Sequence, residues 1–510
     1  MSAWGSLPCT EAVFFSIMKI EEISESATGF ILRFCGKEEH MNKDFADDAL
    51  RTLAKRRAPA WAQALLFVLA TAVFAVFAYH ARYARLDEFA AFRLEELTRF
   101  TAGVFTALYA VTLLVQLRIG RKMPLGSQVL LSVLVGAILL AKISLLDYVS
   151  DDYDIFLSNW IYEYSEMGIK EGLGTYIASD YSPPYLYILL LISRVQNYPW
   201  QYLVKAASIL ADLLLGYAVM KLASLKIRGT GSKLMILNLT MILPTVVFNG
   251  AYWGQCDAIY CSLCLMALYM GLKKRGAACM MFFGAALSFK LQTVFFLPVL
   301  LPLWLRKDIK LRHVLLIPAA YLGMMVPAFW GGKSLHHALT VYMTQAGTYN
   351  FITVNGPSLY NFLPTGMDKE MLYTMFSGMA LALGMAMLAA VCLLLCLRRE
   401  RITQESVVLA CLLVLGGVPF FLPKMHERYT FGADVLSLVA AAYCPKRVVL
   451  PLLFGLASYI CYTAGLPGDA IMELKWATLC QGAAVALTAA ALWKSLHEDK
   501  ENACLTEVKA

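Results

Sequence analysis

The segment Ser150-Asp151-Asp152-Tyr153-Asp154 places three carboxylates just beyond an apolar run, and Phe156, Leu157 and Trp160 follow at the spacing of an amphipathic helix lying on a membrane. A carboxylate at that depth can take a proton from an attacking hydroxyl, because partial burial raises its proton affinity toward neutrality. Acidic residues also flank spans for no catalytic reason, so Asp151, Asp152 and Asp154 stay open as alternatives. Further along, in Asp180-Tyr181-Ser182-Pro183-Pro184-Tyr185, the prolines stiffen the chain and leave Asp180 on a rigid turn, as a reactive acid or as a helix cap.

Positive charge gathers in Pro423-Lys424-Met425-His426-Glu427-Arg428-Tyr429, between two apolar runs. Such a cluster can hold a phosphate, Arg as a planar fork and Lys as a point charge; its plainer reading is an interfacial turn with a Tyr anchor. Isolated charges within apolar runs are a further signal, since each costs roughly 2.5 to 3.5 kcal/mol at a helix centre. Asp212 is mid-run and is as readily a structural acid. Lys290, in Ser288-Phe289-Lys290-Leu291-Gln292, is expected to face an anion in a cavity, and Lys205, near a run's end, to snorkel toward water.

The elements that position these residues are helices in a membrane. Hydrophobic residues make up 59% of the 510 and charged residues only 16%, which excludes an ordinary soluble chain. Apolar runs near 60–79, 100–117, 127–147, 200–222, 234–250, 256–272, 276–288, 290–305, 313–330, 371–397, 405–422, 430–444, 447–465 and 474–494 predict an all-α polytopic membrane protein of about 14 spans. The expected division is a cytosolic arm over 1–58, two additional spans within 59–126, a catalytic membrane domain over 127–495 and a cytosolic tail over 496–510. The net charge of +8 lies in short clusters between runs, which argues for membrane orientation and against nucleic acid. Clusters at Arg118, Lys226, Lys273, Arg306, Arg398 and Lys446 fall on one side if the spans alternate, with both termini in the cytoplasm. Arg82, Arg85 and Arg93 are the exception. The other side then carries a large first loop with juxtamembrane helices, the turn at 252–257, a loop over 331–370 and the turn at 423–429. Most of the thirteen cysteines, Cys261, Cys264 and Cys411 among them, sit inside runs as small core residues with no metal-type pairing.

Taken together, these segments resemble the multi-spanning glycosyltransferases of the GT-C superfamily, with the nearest likeness to bacterial membrane mannosyltransferase-like proteins and dolichyl-phosphate-glucose-dependent glucosyltransferases. The resemblance is carried by Asp152-Tyr153 with Trp160; by Asp180-Tyr181 with Pro183-Pro184-Tyr185, where Ser182 is a departure; by Trp253-Gly254-Gln255 with Asp257; by Phe289-Lys290; and by His426-Glu427-Arg428-Tyr429. These motifs run in family order over residues 127–445. The resemblance implies inverting transfer of a hexose, mannose or glucose, from a polyprenyl-phosphate donor to an acceptor hydroxyl. Asp152 would be the base, with Asp154 and Asp180 as further acids. His426, Arg428, Lys290 and Lys424 would hold the donor phosphate. Trp253, Gln255, Asp257, Tyr153 and Tyr181 would contact sugar or acceptor. No metal or other cofactor is expected, and no nucleotide-binding Gly-rich loop is present. The expected partners are the bilayer, the lipid-linked sugar and a glycan, lipid-linked or cell-envelope acceptor. The lack of a usable outer glycosylation sequon favours a bacterial plasma membrane. A polyprenyl-linked lipid flippase is the alternative, with Asp212 and Lys290 marking a path; against it, neither related halves nor broken helices are legible.

Overall fold

The computed structural model describes residues 58–83, 91–177, 179, 181–347, 350–364, 366, 368–466 and 470–497. Most of the expected N-terminal arm, nearly all of the tail and Asp180 lie outside these residues. The chain is an all-α polytopic protein in two compact units, dividing between Leu145 and Leu146.

The first unit holds α1 (Ala60–Tyr83), α2 (Ala91–Ile119) and α3 (Leu125–Ile143). Phe74 of α1 stacks on Tyr109 of α2 at 4.2 Å, and the Tyr109 hydroxyl donates to the Ser132 carbonyl of α3 at 3.0 Å. Both rings lie against Gly136 of α3. These contacts join the third helix to the first unit. Trp61, Leu65, Val68 and Leu69 on α1 are exposed, as a lipid-facing surface requires.

The second unit continues with a π-helical turn (Asp152–Leu157), α4 (Ser158–Ser165), α5 (Ile169–Gly174), α6 (Pro183–Ile192), α7 (Trp200–Ala223) and α8 (Thr230–Ile242). After α9 (Pro244–Val247) a second π-helical turn (Phe248–Trp253) leads to α10 (Asp257–Leu272), α11 (Gly276–Phe289) and α12 (Leu300–Leu305). Then come α13 (Leu316–Gly331), α14 (Leu335–Gly347), α15 (Lys369–Leu397), α16 (Gln404–Phe421), α17 (Phe431–Tyr443), α18 (Val449–Gly465) and α19 (Leu474–His497). One core joins Leu215, Val219 and Leu222 of α7, Cys261, Cys264 and Leu268 of α10, Leu409 and Leu412 of α16, and Val435 and Val439 of α17. The cysteines there act as the small apolar side chains expected of them.

Among the described residues nine helices are long and apolar enough to cross a membrane, or ten if the bent α8–α9 pair counts as one span. Each expected run is helical, but α10, α11, the 291–305 segment and α17 are short. A helix of thirteen residues, such as α17, rises only about 20 Å at about 1.5 Å per residue, against roughly 30 Å of hydrocarbon. The α8–α9 pair is bent by 55° at Pro244, whose ring cannot continue a helix from the preceding turn. A broken helix, not legible in the sequence, is therefore present.

Charged loops gather at one end of the second unit. Glu405, at the start of α16, pairs with Lys226 after α7 at 2.9 Å and with Arg447 between α17 and α18 at 2.5 Å. Arg306 donates to the Ile402 carbonyl at 3.0 Å. The opposite end of α16 leads into Pro423–Tyr429.

Candidate functional site

Four segments far apart in the chain meet at that opposite end: the turn opening at Asp152, the turn closing at Trp253 and running to Asp257, the end of α11 at Lys290, and the loop between α16 and α17. Asp152 Oδ2 accepts from Gln255 Nε2 at 2.7 Å and from Arg428 Nη1 at 3.2 Å. The Tyr181 hydroxyl donates to Gln255 Oε1 at 2.9 Å, which turns the amide nitrogen of Gln255 toward Asp152. Burial pushes the Tyr181 phenol well above its ordinary range, so it remains a donor. Asp152 keeps 34% of its side chain exposed, enough to meet a ligand. Asp151 and Asp154 lie on the exposed side of the same turn, so of the three carboxylates Asp152 is the one drawn into the site. Asp180 lies outside the described residues.

The turn at Trp253 closes on Gly254, whose φ of +86° favours glycine, and Gln255 then donates its backbone N–H to the Asn249 carbonyl at 2.8 Å. Gly250 lies against Asp212, whose Oδ2 would be only 2.8 Å from an added Cβ. The buried Asp212 therefore packs closely against the π-helical turn. The guanidinium of Arg428 lies over the Trp253 ring at 4.7 Å. Arg428 Nε and Trp253 Nε1 are both buried without a hydrogen-bond partner. Buried donors are nearly always satisfied, so these two stand out among the side chains around Asp152.

Lys290 does face an anion, but the anion is Asp257 of the chain itself. The two side chains are 3% and 1% exposed, and the other Asp257 oxygen accepts from Asn249 Nδ2 at 2.7 Å, an amide that also reaches the Tyr462 hydroxyl at 3.1 Å. Asp257 is thus engaged inside the protein rather than turned toward a sugar. Removing one member of a buried pair strands the other charge and costs about 3 to 5 kcal/mol. Lys290→Met is accordingly expected to lower the thermal midpoint by about 4 to 7 °C, and Lys290→Met with Asp257→Asn to regain most of it. Melting in one detergent checks this, and an unchanged midpoint in the single variant contradicts it.

His426 lies on a short parallel pairing of β1 (Thr353–Val354) with β2 (Met425–His426). Burial, then Arg428 and Lys290 nearby, pushes its imidazole down to about 3, so the ring is neutral near pH 7. Lys424 Nζ meets Asn350 Oδ1 at 3.4 Å and lies over the Tyr373 ring, so it serves the loop at 350 rather than Asp152. Tyr153 packs with Leu157, Trp160 and Tyr185 in the cluster behind the turn. Of the expected site residues, Asp152, Arg428, Trp253, Gln255 and Tyr181 come together directly, with Lys290 and Asp257 in the layer beneath.

Asn249 and Tyr462 sit in apolar runs with nothing in the sequence to mark them, whereas Glu427 stands in the His426–Tyr429 motif but carries no role from the sequence alone. Burial pushes Glu427 up to about 7, against the lowering influence of Arg428. An acid held above its unfolded value of 4.5 binds more protons folded than unfolded, so its contribution to stability is lost as pH rises from there through about 7. Glu427→Gln should therefore lose less stability than the wild type between about pH 5 and about pH 8. Parallel melting curves for the two proteins would show instead that this carboxyl titrates as an exposed one.

A comparison with protein-family models finds none that matches the chain, and a comparison with curated proteins finds no match.

Proposed function

We propose that this chain is an inverting GT-C-type glycosyltransferase that moves a hexose, mannose or glucose, from a polyprenyl-phosphate donor to an acceptor hydroxyl. The observation that carries the reading is the meeting of Asp152 with Arg428, 276 positions apart, beside two orphan donors. In this reading Asp152 takes the acceptor's proton while the acceptor oxygen attacks the anomeric carbon. The carbon–oxygen bond to phosphate breaks, and polyprenyl phosphate leaves with one added negative charge. Arg428 stabilises that charge, the usual large term in such a site, with His426 as a neutral donor and Lys290 as a second layer.

The pair must open for this chemistry, since inversion needs the base and the leaving phosphate on opposite faces of the sugar. The partly exposed Asp152–Arg428 pair is worth only up to about 1 kcal/mol, so a donor phosphate that engages Arg428 displaces Asp152 at small cost and leaves the base free.

The about 14 expected spans belong to the same proposal, with α10, α11, the 291–305 segment and α17 as short spans whose ends are recessed at the site. Gathering of the basic loops at the other end supports cytosolic termini and an extracytoplasmic site, and the lack of a usable outer glycosylation sequon supports a bacterial plasma membrane. One observation favours the flippase alternative: the broken α8–α9 span ends at the site, as broken helices do in carriers. Incubating purified protein with polyprenyl-phosphate-mannose and polyprenyl-phosphate-glucose tests the reading. Release of polyprenyl phosphate with an inverted anomer in the product is expected, and no release from either donor with mixed membrane lipid acceptors rejects it.

A further inference from the structure

The two turns that form the site are held in register by contacts outside it. Ser150 Oγ donates to the Trp253 carbonyl at 3.3 Å, and the Tyr148 and Tyr252 rings stack at 3.8 Å. The N-terminal turns of α7 grip the chain leading to Asp152: Tyr202 donates to Asp147 Oδ1 at 2.7 Å, and Gln201 to the Leu146 carbonyl at 3.3 Å.

Lys205, on the same face of α7, touches both turns. Its ammonium donates to the Leu146 carbonyl at 2.9 Å and the Tyr148 carbonyl at 2.6 Å. Its stem lies against Gly254, with Cγ 3.4 Å from where a Cβ would stand. The residue is 3% exposed, so the expected snorkelling to water does not occur. A buried ammonium in an apolar helix is retained only for a partner, and here the partners are main-chain carbonyls that no shorter or uncharged side chain satisfies together.

We propose that Lys205 is a positioning residue that fixes the register between the Asp152 turn and the Trp253–Gln255 turn, and through it the approach of Gln255 and Arg428 to Asp152. The catalytic consequence rests on the transferase reading; the structural one does not. Lys205→Met keeps the stem and removes the donors, while Lys205→Arg keeps both. In the methionine variant amide exchange over 146–157 and 248–256 is expected to quicken by about tenfold or more, with exchange in α16 unchanged. Transfer at saturating donor should fall by about 100-fold, with affinity for polyprenyl phosphate within about twofold and at least tenfold of the activity recovered in Lys205→Arg. Lys205→Gln should show the same change in exchange if the methionine variant does not accumulate. Unchanged exchange in both segments overturns the proposal, as does a loss of polyprenyl-phosphate affinity in step with activity, which would make Lys205 a ligand group. Quickened exchange in a protein that transfers from no donor leaves the brace standing and removes the transferase.

Discussion

Asp152→Asn is expected to lower transfer by about 10² to 10⁴-fold, the range for losing a general base, while binding of polyprenyl phosphate becomes tighter by up to about fivefold. The second half follows from the geometry. Asp152 and a donor phosphate compete for Arg428, and the ion pair they contest is worth up to about 1 kcal/mol at this exposure. An asparagine keeps the shape and can still meet Gln255, but it no longer holds the guanidinium by charge. Turnover and equilibrium binding should therefore move in opposite directions, which general misfolding cannot produce. Retained full activity removes Asp152 from the mechanism.

Arg428→Lys is the companion case and should lower transfer by about 10² to 10³-fold, the loss seen when one donor to a developing oxyanion is removed. It should also weaken binding of polyprenyl phosphate, opposite in sign to the Asp152 variant. Lysine keeps the charge, but it gives up the planar fork, the contact over Trp253 and the orphan Nε. Steady-state kinetics with the donor varied, beside direct binding of polyprenyl phosphate, separates the two effects. Equal activity in the lysine variant would reduce Arg428 to a point charge.

Much of this was legible in the sequence because it rests on composition and on residues that are expensive where they stand. Long apolar runs give helices wherever the chain is placed in a bilayer. Lys290 could be read as facing an anion because a charge inside an apolar run needs a partner, but its partner could not, since Asp257 was equally suited to a sugar. Lys205 was misplaced for a related reason. A lysine near a helix end ordinarily snorkels, and only the fold reveals that two carbonyls of a distant segment reach it first. The resemblance points to Asp152, but the residues alone leave Asp151, Asp152 and Asp154 open, because a π-helical turn sets which of three adjacent acids faces inward. Hydropathy marks α10, α11 and α17 as apolar runs but does not report where a helix stops, so their shortness shows only in the fold. Pro244 was the visible sign of the broken span, and its place inside an apolar run concealed it.

The most direct test of the central claim is a vesicle experiment with polyprenyl-phosphate-mannose and polyprenyl-phosphate-glucose labelled in the sugar, the purified protein reconstituted in one orientation, and acceptor lipid present. Label is expected to leave the polyprenyl carrier for the acceptor in the wild type and to stay on the carrier in Asp152→Asn. Label that crosses to the other leaflet still attached to its carrier, equally in both proteins and with no product, contradicts the account and makes the chain a flippase.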